Sequence, residues 1–301
     1  MSYRTASTTQ SRQTLLDLQR TQERIAKNQT RIATGNRLTS PSDDPAAAAA
    51  ILDFGNSINS NTQSIKQANS ALSFLSFSED AVSAAIDSTM RLQEIAVSGS
   101  AASVPELNAI RSTLLSIANT QIQGKYIFSG TNTQTPTFQN GVPVVYQGTS
   151  AASPAGDINL TVTPSTTVTT NVRGDDVFLG GKGALPGPGN PLDIFQAVTD
   201  LGTALTTNNA AQLQTVKTNL DNIMANFLRV RVDLGGRQAG LQSLSDTLSG
   251  FNLTLQGLQN GLQDTNYPQA MTEYTADQTM QTATLNTLAK SNQPNLFDFL
   301  G

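Results

Sequence analysis

Residues 213–262 read LQTVKTNLDNIMANFLRVRVDLGGRQAGLQSLSDTLSGFNLTLQGLQNGL. Every third and fourth position gives Leu213, Val216, Leu220, Ile223, Phe227, Val230, Leu234, Arg237, Leu241, Leu244, Leu248, Phe251, Leu255, Leu258 and Leu262. The three-four alternation never slips, and only Arg237 is not apolar. This is a heptad seam, a spacing that helices keep and strands do not. One α-helix of that span reaches roughly 75 Å at 1.5 Å per residue. A strict seven-residue repeat drifts against the helix's own period, so it predicts a left-handed supercoil with partner helices. The central question for the rest of the chain is what covers this stripe.

Working outward toward the N-terminus, residues 11–34 predict a helix with a thin seam. Leu18, Ile25 and Ile32 repeat every seven with Leu15 beside them, while Gln22 and Gln29 take the alternate positions. Half-polar burial leaves such a helix marginal alone, and Gly35 suits its C-terminal cap. In the following Ser42-Asp43-Asp44-Pro45, Ser42 or Asp43 can cap a second helix. Asp44 favours its positive end and Pro45 its first turn. The acidic pair is helix-start chemistry in preference to a metal site, since no third ligand follows at a suitable spacing. The second helix, about 45–97, carries Ile51, Phe54, Ile58, Asn61, Ile65, Ala68, Leu72, Leu75, Glu79, Val82 and Ile86, and Gly99 ends it. Ser103 and Glu106 have capping-box spacing, and Leu107, Ile110, Leu114 and Ile117 carry a third helix to about Gln123.

At Gly124 the period changes. Residues 126–128, 142–146, 158–162, 168–172 and 177–179 are short β-type runs separated by Gly and Pro, which predicts a small β-rich insert. A Gly/Pro loop at 180–189 closes it. Asn190-Pro191 then caps a helix bearing Ile194, Val198, Leu201 and Leu205, and Asn208-Asn209 breaks the chain before the long seam. Beyond Leu262, residues 264–268 interrupt the pattern. A last diluted helix carries Met271, Tyr274, Gln278, Gln281, Leu285 and Leu288, and the tail holds Leu296, Phe297, Phe299 and Leu300.

The expected architecture is mainly α with a β-rich insert: a long antiparallel helical bundle or coiled coil built from both ends of the chain. Three parts are expected: 1–40 with 267–301 as terminal coiled-coil segments, 41–123 with 191–266 as the long-helix bundle, and 124–190 as the β domain. The expected assembly interface is Leu15, Leu18, Ile25, Ile32, Met271, Tyr274, Leu285, Leu288, Leu296, Phe297, Phe299 and Leu300. The core seam is Leu213, Leu220, Phe227, Leu234, Leu241, Leu248, Leu255 and Leu262.

Composition narrows the chemistry. The 301 residues include no Cys, His or Trp. Without His or Cys there is no Ser-His-Asp or Cys-His triad, no His-ligated zinc and no thiolate nucleophile. Charged residues are 13%, against about a quarter in a typical domain, and the net charge is −4. So few cations make a poor surface for nucleic acid. No stretch is apolar enough to span a bilayer, and the N-terminus has no apolar signal core. The expectation is therefore a soluble chain, or one exported without a cleaved signal. The loop around Lys182 fails as a phosphate-binding loop at Asp176 and Gly183, where Gly and Ser/Thr are needed. No cofactor or metal is expected. Gly235-Gly236 inside the seam implies a bend or a close helix approach, with an assembly hinge as the alternative. Arg237 is read as snorkelling or paired. Tyr126, Phe128, Phe178 and Phe195 are read as core of the insert or its base.

Four segments together resemble the flagellin superfamily. The first runs Ala33-Thr34-Gly35-Asn36-Arg37-Leu38-Thr39-Ser40-Pro41-Ser42-Asp43-Asp44-Pro45. The second is Gly124-Lys125-Tyr126-Ile127-Phe128-Ser129-Gly130 with Thr135-Pro136-Thr137-Phe138. The third is Leu234-Gly235-Gly236-Arg237-Gln238-Ala239-Gly240-Leu241, and the fourth Leu296-Phe297-Asp298-Phe299-Leu300. The second and fourth are similar to the hook–filament junction branch more than to filament flagellins. The resemblance implies a non-enzymatic structural subunit whose terminal helices form a coiled-coil inner tube, with the insert facing outward. It implies export through the flagellar type III channel with a cytosolic chaperone on the C-terminal region. The implied partners are copies of itself in a ring, hook-associated protein 1 and flagellin, with no nucleic acid or membrane. Two alternatives are a filament flagellin and, from another class, an exported coiled-coil adhesin using the β insert as its binding head.

Overall fold

The computed structural model describes residues 2–149, 156–163 and 166–291. Its helices are α1 (Ser2–Thr34), α2 (Pro45–Ser98), α3 (Val104–Ala118), α4 (Gly174–Phe178), α5 (Ile194–Thr206), α6 (Ala210–Gln263) and α7 (Tyr267–Ser291). Among the described residues, the segment between α3 and α5 forms three antiparallel two-stranded ladders. They pair β1 (Gln121–Ile122) with β2 (Lys125–Tyr126), β3 (Phe138–Gln139) with β4 (Val145–Tyr146), and β5 (Asn159–Thr163) with β6 (Thr166–Thr169). The chain divides into two compact units, Met1–Ser60 with Phe251–Gly301, and Asn61–Gly250.

In the Asn61–Gly250 unit the leucine seam is covered. Val216, Leu220, Ile223, Phe227, Val230, Leu234, Leu241 and Leu248 are buried in one cluster with Leu75, Val82, Ile86 and Leu92 of α2. The Arg231–Glu79 ion pair (2.8 Å) and the Gln93–Asp221 hydrogen bond (2.8 Å) show α2 and α6 running antiparallel here. α3 packs against α5 through Leu107 and Leu114 on one side and Leu201 and Leu205 on the other. An aromatic knot of Phe128, Phe138, Phe178, Phe195 and Phe227 has ring centroids 5.0–6.0 Å apart. It ties the β-rich segment to the long helix. Phe128, Phe178 and Phe195 are thus core, as expected, while Tyr126 is half-buried.

Local chemistry corrects several expectations. Residues 177–179 are not a strand; 177 and 178 complete the short helix α4, since a three-residue apolar run fits either period. Of 126–128 only Tyr126 is in a strand, and of 142–146 only Val145 and Tyr146. Helix α3 stops at Ala118. Gln123 (φ 52°) and Gly124 (φ 77°) then turn β1 into β2, two left-handed residues as a tight hairpin turn requires. The Ser103 capping box does not form. Ser103 is helical with no side-chain cap bond, and Glu106 instead takes the Arg91 guanidinium at 2.6 Å. α5 is capped by Asp193, which accepts from the N–H groups of Phe195 (2.9 Å) and Gln196 (3.1 Å), rather than by Asn190. Burial holds the Asp193 carboxyl above the usual carboxylate range despite those bonds.

Gly235 and Gly236 lie within unbroken α6, and a Cβ built on either meets nothing within 4 Å. The close-approach explanation therefore fails within the chain, although each glycine costs about 1 kcal/mol against alanine in a helix. Arg237 is paired, as expected. It forms an ion pair with Asp233 (2.6 Å) and donates to the carbonyl of Asn171 (3.0 Å).

Candidate assembly interface

In the Met1–Ser60 and Phe251–Gly301 unit, α1 packs along α7. The facing positions on α1 are Thr14, Leu18, Thr21, Ile25, Asn28 and Ile32, all buried or half-buried. Those on α7 are Ala270, Tyr274, Asp277, Gln281, Thr284 and Leu288. Both sets step by four and three without a slip, so this is a coiled-coil seam. It contains Leu18, Ile25, Ile32, Tyr274, Gln281 and Leu288 as expected. The alternate positions differ: Thr21 and Asn28 replace Gln22 and Gln29, and Asp277 and Thr284 replace Gln278 and Leu285. Leu15, Met271 and Leu285 fall outside the seam and are exposed, together with Leu16 and Met280. Leu296, Phe297, Phe299 and Leu300 lie outside the described residues.

A polar seam persists because its groups are satisfied. Thr21 donates to the Asp17 carbonyl (2.8 Å) and Thr284 to the Met280 carbonyl (2.8 Å), so the hydroxyls are paid off within their own helices. Asp277 accepts from Arg24 Nε (3.1 Å) and Asn28 Nδ2 (3.4 Å) across the pair. A buried carboxylate with two cross-helix donors is satisfied in one register and not in a slipped one, the best-attested role of polar seam residues.

The stretch Ala33 to Pro45 closes this pair against the ends of α2 and α6. Gly35 (φ 75°) ends α1, its N–H reaching the Arg31 carbonyl at 2.9 Å. Arg37 N–H donates to the Gln263 carbonyl (2.7 Å), the Arg37 guanidinium to the Leu262 carbonyl (3.1 Å), and Thr265 N–H to the Gly35 carbonyl (2.8 Å). A guanidinium on the last carbonyls of α6 also complements the negative end of the helix. Asp44, not Ser42 or Asp43, caps α2 by accepting from Ala47 N–H (3.0 Å). Asp43 instead takes Lys27 Nζ (2.6 Å) and the N–H groups of Thr39 and Ser40 (3.2 Å each). The Lys27 and Thr39 side chains hold the Asp43 carboxyl well below the usual carboxylate range.

A depressed folded value has a defined sign. The Asp43 bonds contribute fully above the unfolded value of about 4 and are lost as pH falls through the lower folded value. Protection of the Thr39 and Ser40 amides, measured against their intrinsic exchange rates, should therefore fall on acidification below about pH 4, and Asp43→Asn should show the lower protection already at neutral pH. Equal protection in the variant would remove Asp43 from this role.

On the remaining surface of the unit, the α6 seam loses its cover. Leu255 and Leu262 are half-buried, and Phe251 and Leu258 are 58% and 52% exposed. Among the described residues no group of three His, Cys, Asp or Glu side chains could hold a metal ion, and no helix is long and apolar enough to cross a membrane.

Residues 6–133 match the model of the bacterial flagellin N-terminal helical region. Over 291 residues the chain is 26% identical to flagellar hook-associated protein 3 of Salmonella typhimurium, covering 88% of this chain and 90% of that one. The chain is similar to flagellar hook-associated protein 3 nearly end to end. The Escherichia coli protein of the same name is also 26% identical. The solved structure of flagellar hook associated protein-3 from Legionella pneumophila shares the fold, with a TM-score of 0.60 at 17% identity over 70% of this chain and 98% of its own. By name these relatives are flagellar proteins, and the fold shared with the Legionella pneumophila structure is the helical one expected, with long helices and a small strand-bearing segment between them. The flagellin-type match extends through the Ala33 to Pro45 stretch, whose Arg37, Asp43 and Asp44 make the connector bonds just described.

Proposed function

We infer that this chain is a structural subunit of the bacterial flagellum at the hook–filament junction. The observation that carries this reading is near end-to-end similarity to hook-associated protein 3, rather than to one segment of it. In this reading the α1–α7 pair and the tail at 292–301 form the inner wall of a ring of copies. The long helices form the next layer, and 124–190 faces outward. The subunit takes hook-associated protein 1 on one side and flagellin on the other, works outside the cell and performs no catalysis. It crosses the export channel without a cleaved signal, with a chaperone on its C-terminal region.

The seam chemistry supports this division of labour. The α1–α7 pair holds its register through Asp277 but buries few large apolar groups, leaving Leu15, Met271 and Leu285 outside. A Leu moved from exposed to buried contributes about 1.5–3 kcal/mol, so covering them in a ring adds what one chain lacks. Gold-labelling an epitope placed in the insert of the full chain should mark one band at the hook–filament boundary. Label spread along the filament would turn the assignment to a filament flagellin. Label absent from flagella, with normal motility of a null strain, would turn it to an adhesin.

A further inference from the structure

Two uncovered surfaces lie on α2 within the Asn61–Gly250 unit, and their chemistry is opposite. The first is a groove of about 630 Å³ between α2 and the β-rich segment. Phe74, Ile122 and Leu160 give it apolar walls, and Lys66 and Lys125 stand among its lining residues. No acidic side chain lines it, and neither lysine enters an ion pair among the described residues. The second surface is a helical stripe farther along α2, its middle about six turns from the middle of the groove: Asp87, Met90, Glu94 and Val97, spaced three, four and three, all exposed. Met90 is 46% and Val97 76% exposed, so the chain itself leaves this apolar edge bare. Arg91 lies beside the stripe, but it is shared between Glu94 (2.7 Å) and Glu106 (2.6 Å), so the local balance stays negative.

We propose that the groove at Lys66 and Lys125 takes the Asp87–Met90–Glu94–Val97 stripe of a second copy of this chain. The proposal rests on the ring-forming reading above and names its contact. Met90 and Val97 lie seven residues apart, two turns on one helix edge, and such an edge can lay its apolar side chains into an apolar groove. The two carboxylates face the two lysines, which sets orientation and disfavours other registers. The surfaces do not overlap, so each copy keeps one groove and one stripe free. Such a contact is heterologous, and repeated contacts of that kind close a ring or wind a helix instead of stopping at a dimer. Some 22 residues separate the two surfaces on α2, so parallel neighbours are offset by roughly 33 Å along it at 1.5 Å per residue.

Charge exchange on the full chain tests this. In a strain lacking its own junction protein, Lys66→Glu with Lys125→Glu should reduce filament number by about tenfold or more. Asp87→Lys with Glu94→Lys should do the same, and a chain carrying all four substitutions should recover filaments. Unchanged filaments in either pair, or no recovery in the combination, overturns the proposal. Because the chain has no cysteine, a second measurement is clean: purified Ser70→Cys and Met90→Cys chains, mixed at high concentration and oxidised, should cross-link to each other. Val142→Cys serves as the control for random collision. Should the wild-type chain fail to give filaments, the junction reading falls and the cross-link alone decides: a Ser70–Met90 disulfide above the control upholds the contact, and its absence overturns it.

Discussion

A chain truncated before Tyr267 should fold its Asn61–Gly250 unit normally and yield no flagellar filaments. The truncation removes α7 and the tail. It strips Leu18, Ile25 and Ile32 of their facing residues and leaves Arg24 and Asn28 without Asp277. The other unit's cluster from Ala68 to Leu248 contains no residue of α7, so its cooperative melting transition should stay within a few degrees of the intact chain. Filaments should fall to none, because the inner wall of the proposed ring loses one of its two helices per copy. Motility, filament staining and circular-dichroism melting of the purified chain check the two halves. Normal swimming by the truncated strain would end the junction reading. Loss of the melting transition would show that the two units do not fold independently.

The half of the α1–α7 seam that was legible in the sequence is the apolar half. Leu18, Ile25 and Ile32 recur every seven residues and fix the face, but the intervening turn can be read as three-then-four or four-then-three. Both choices are polar, Thr21 and Asn28 against Gln22 and Gln29, so hydrophobicity cannot decide. What decides is a partner 249 residues away: Asn28 reaches Asp277, and Thr21 folds its hydroxyl back onto Asp17. The same ambiguity placed Met271 and Leu285 in the seam when Ala270 and Thr284 hold it. Small and self-satisfied residues pack a close helix pair, and an apolarity rule passes over them. The long α6 seam had no such ambiguity, because both of its positions are apolar at nearly every turn. Its limit lay elsewhere. The pattern runs unbroken to Leu262, while within one chain the last buried seam residue is Leu248. Periodicity states that a face must be covered and is silent on whether its own chain or a neighbour covers it.

The caps and the β-rich segment were less legible because several residues of one type compete within a few positions. Asn190 and Asp193 both suit a helix start. Asp193 wins because its carboxylate accepts from two helix N–H groups and also from Gly187 N–H (2.9 Å), while Asn190 bonds the Leu179 and Leu185 carbonyls in the loop. Arg173 and Asp175 carried no sequence signal at all. They are two residues apart in a stretch with no periodicity, yet they are among the most deeply buried side chains, at 1% and 0% exposure.

That pair supports the second large effect: Asp175→Ala should cost roughly 3–5 kcal/mol of stability, the usual loss when one partner of a buried ion pair is removed. Asp175 accepts from Arg173 Nε at 3.0 Å, with a second bond from Arg173 Nη2, and also from Gly183 N–H (2.6 Å) and Asp176 N–H (3.0 Å). The carboxylate thereby ties the Gly/Pro loop to the start of α4. Helix α4 is in turn held to α6 by Asn226, which donates to the carbonyls of Asp176 (3.0 Å) and Val177 (2.9 Å), and Phe178 sits in the aromatic knot. Removing the carboxylate takes from the buried Arg173 guanidinium the acceptor of two of its hydrogen bonds and frees the Gly183 N–H. Arg173→Met combined with Asp175→Leu should lose less than Asp175→Ala alone, since no unpaired charge remains and only N–H groups go unsatisfied, at about 1–3 kcal/mol each. Urea unfolding of full-length chains, compared at unchanged slope, separates these outcomes. A double variant weaker than the single one would mean that the pair's shape, rather than its charge balance, holds the insert to the helices.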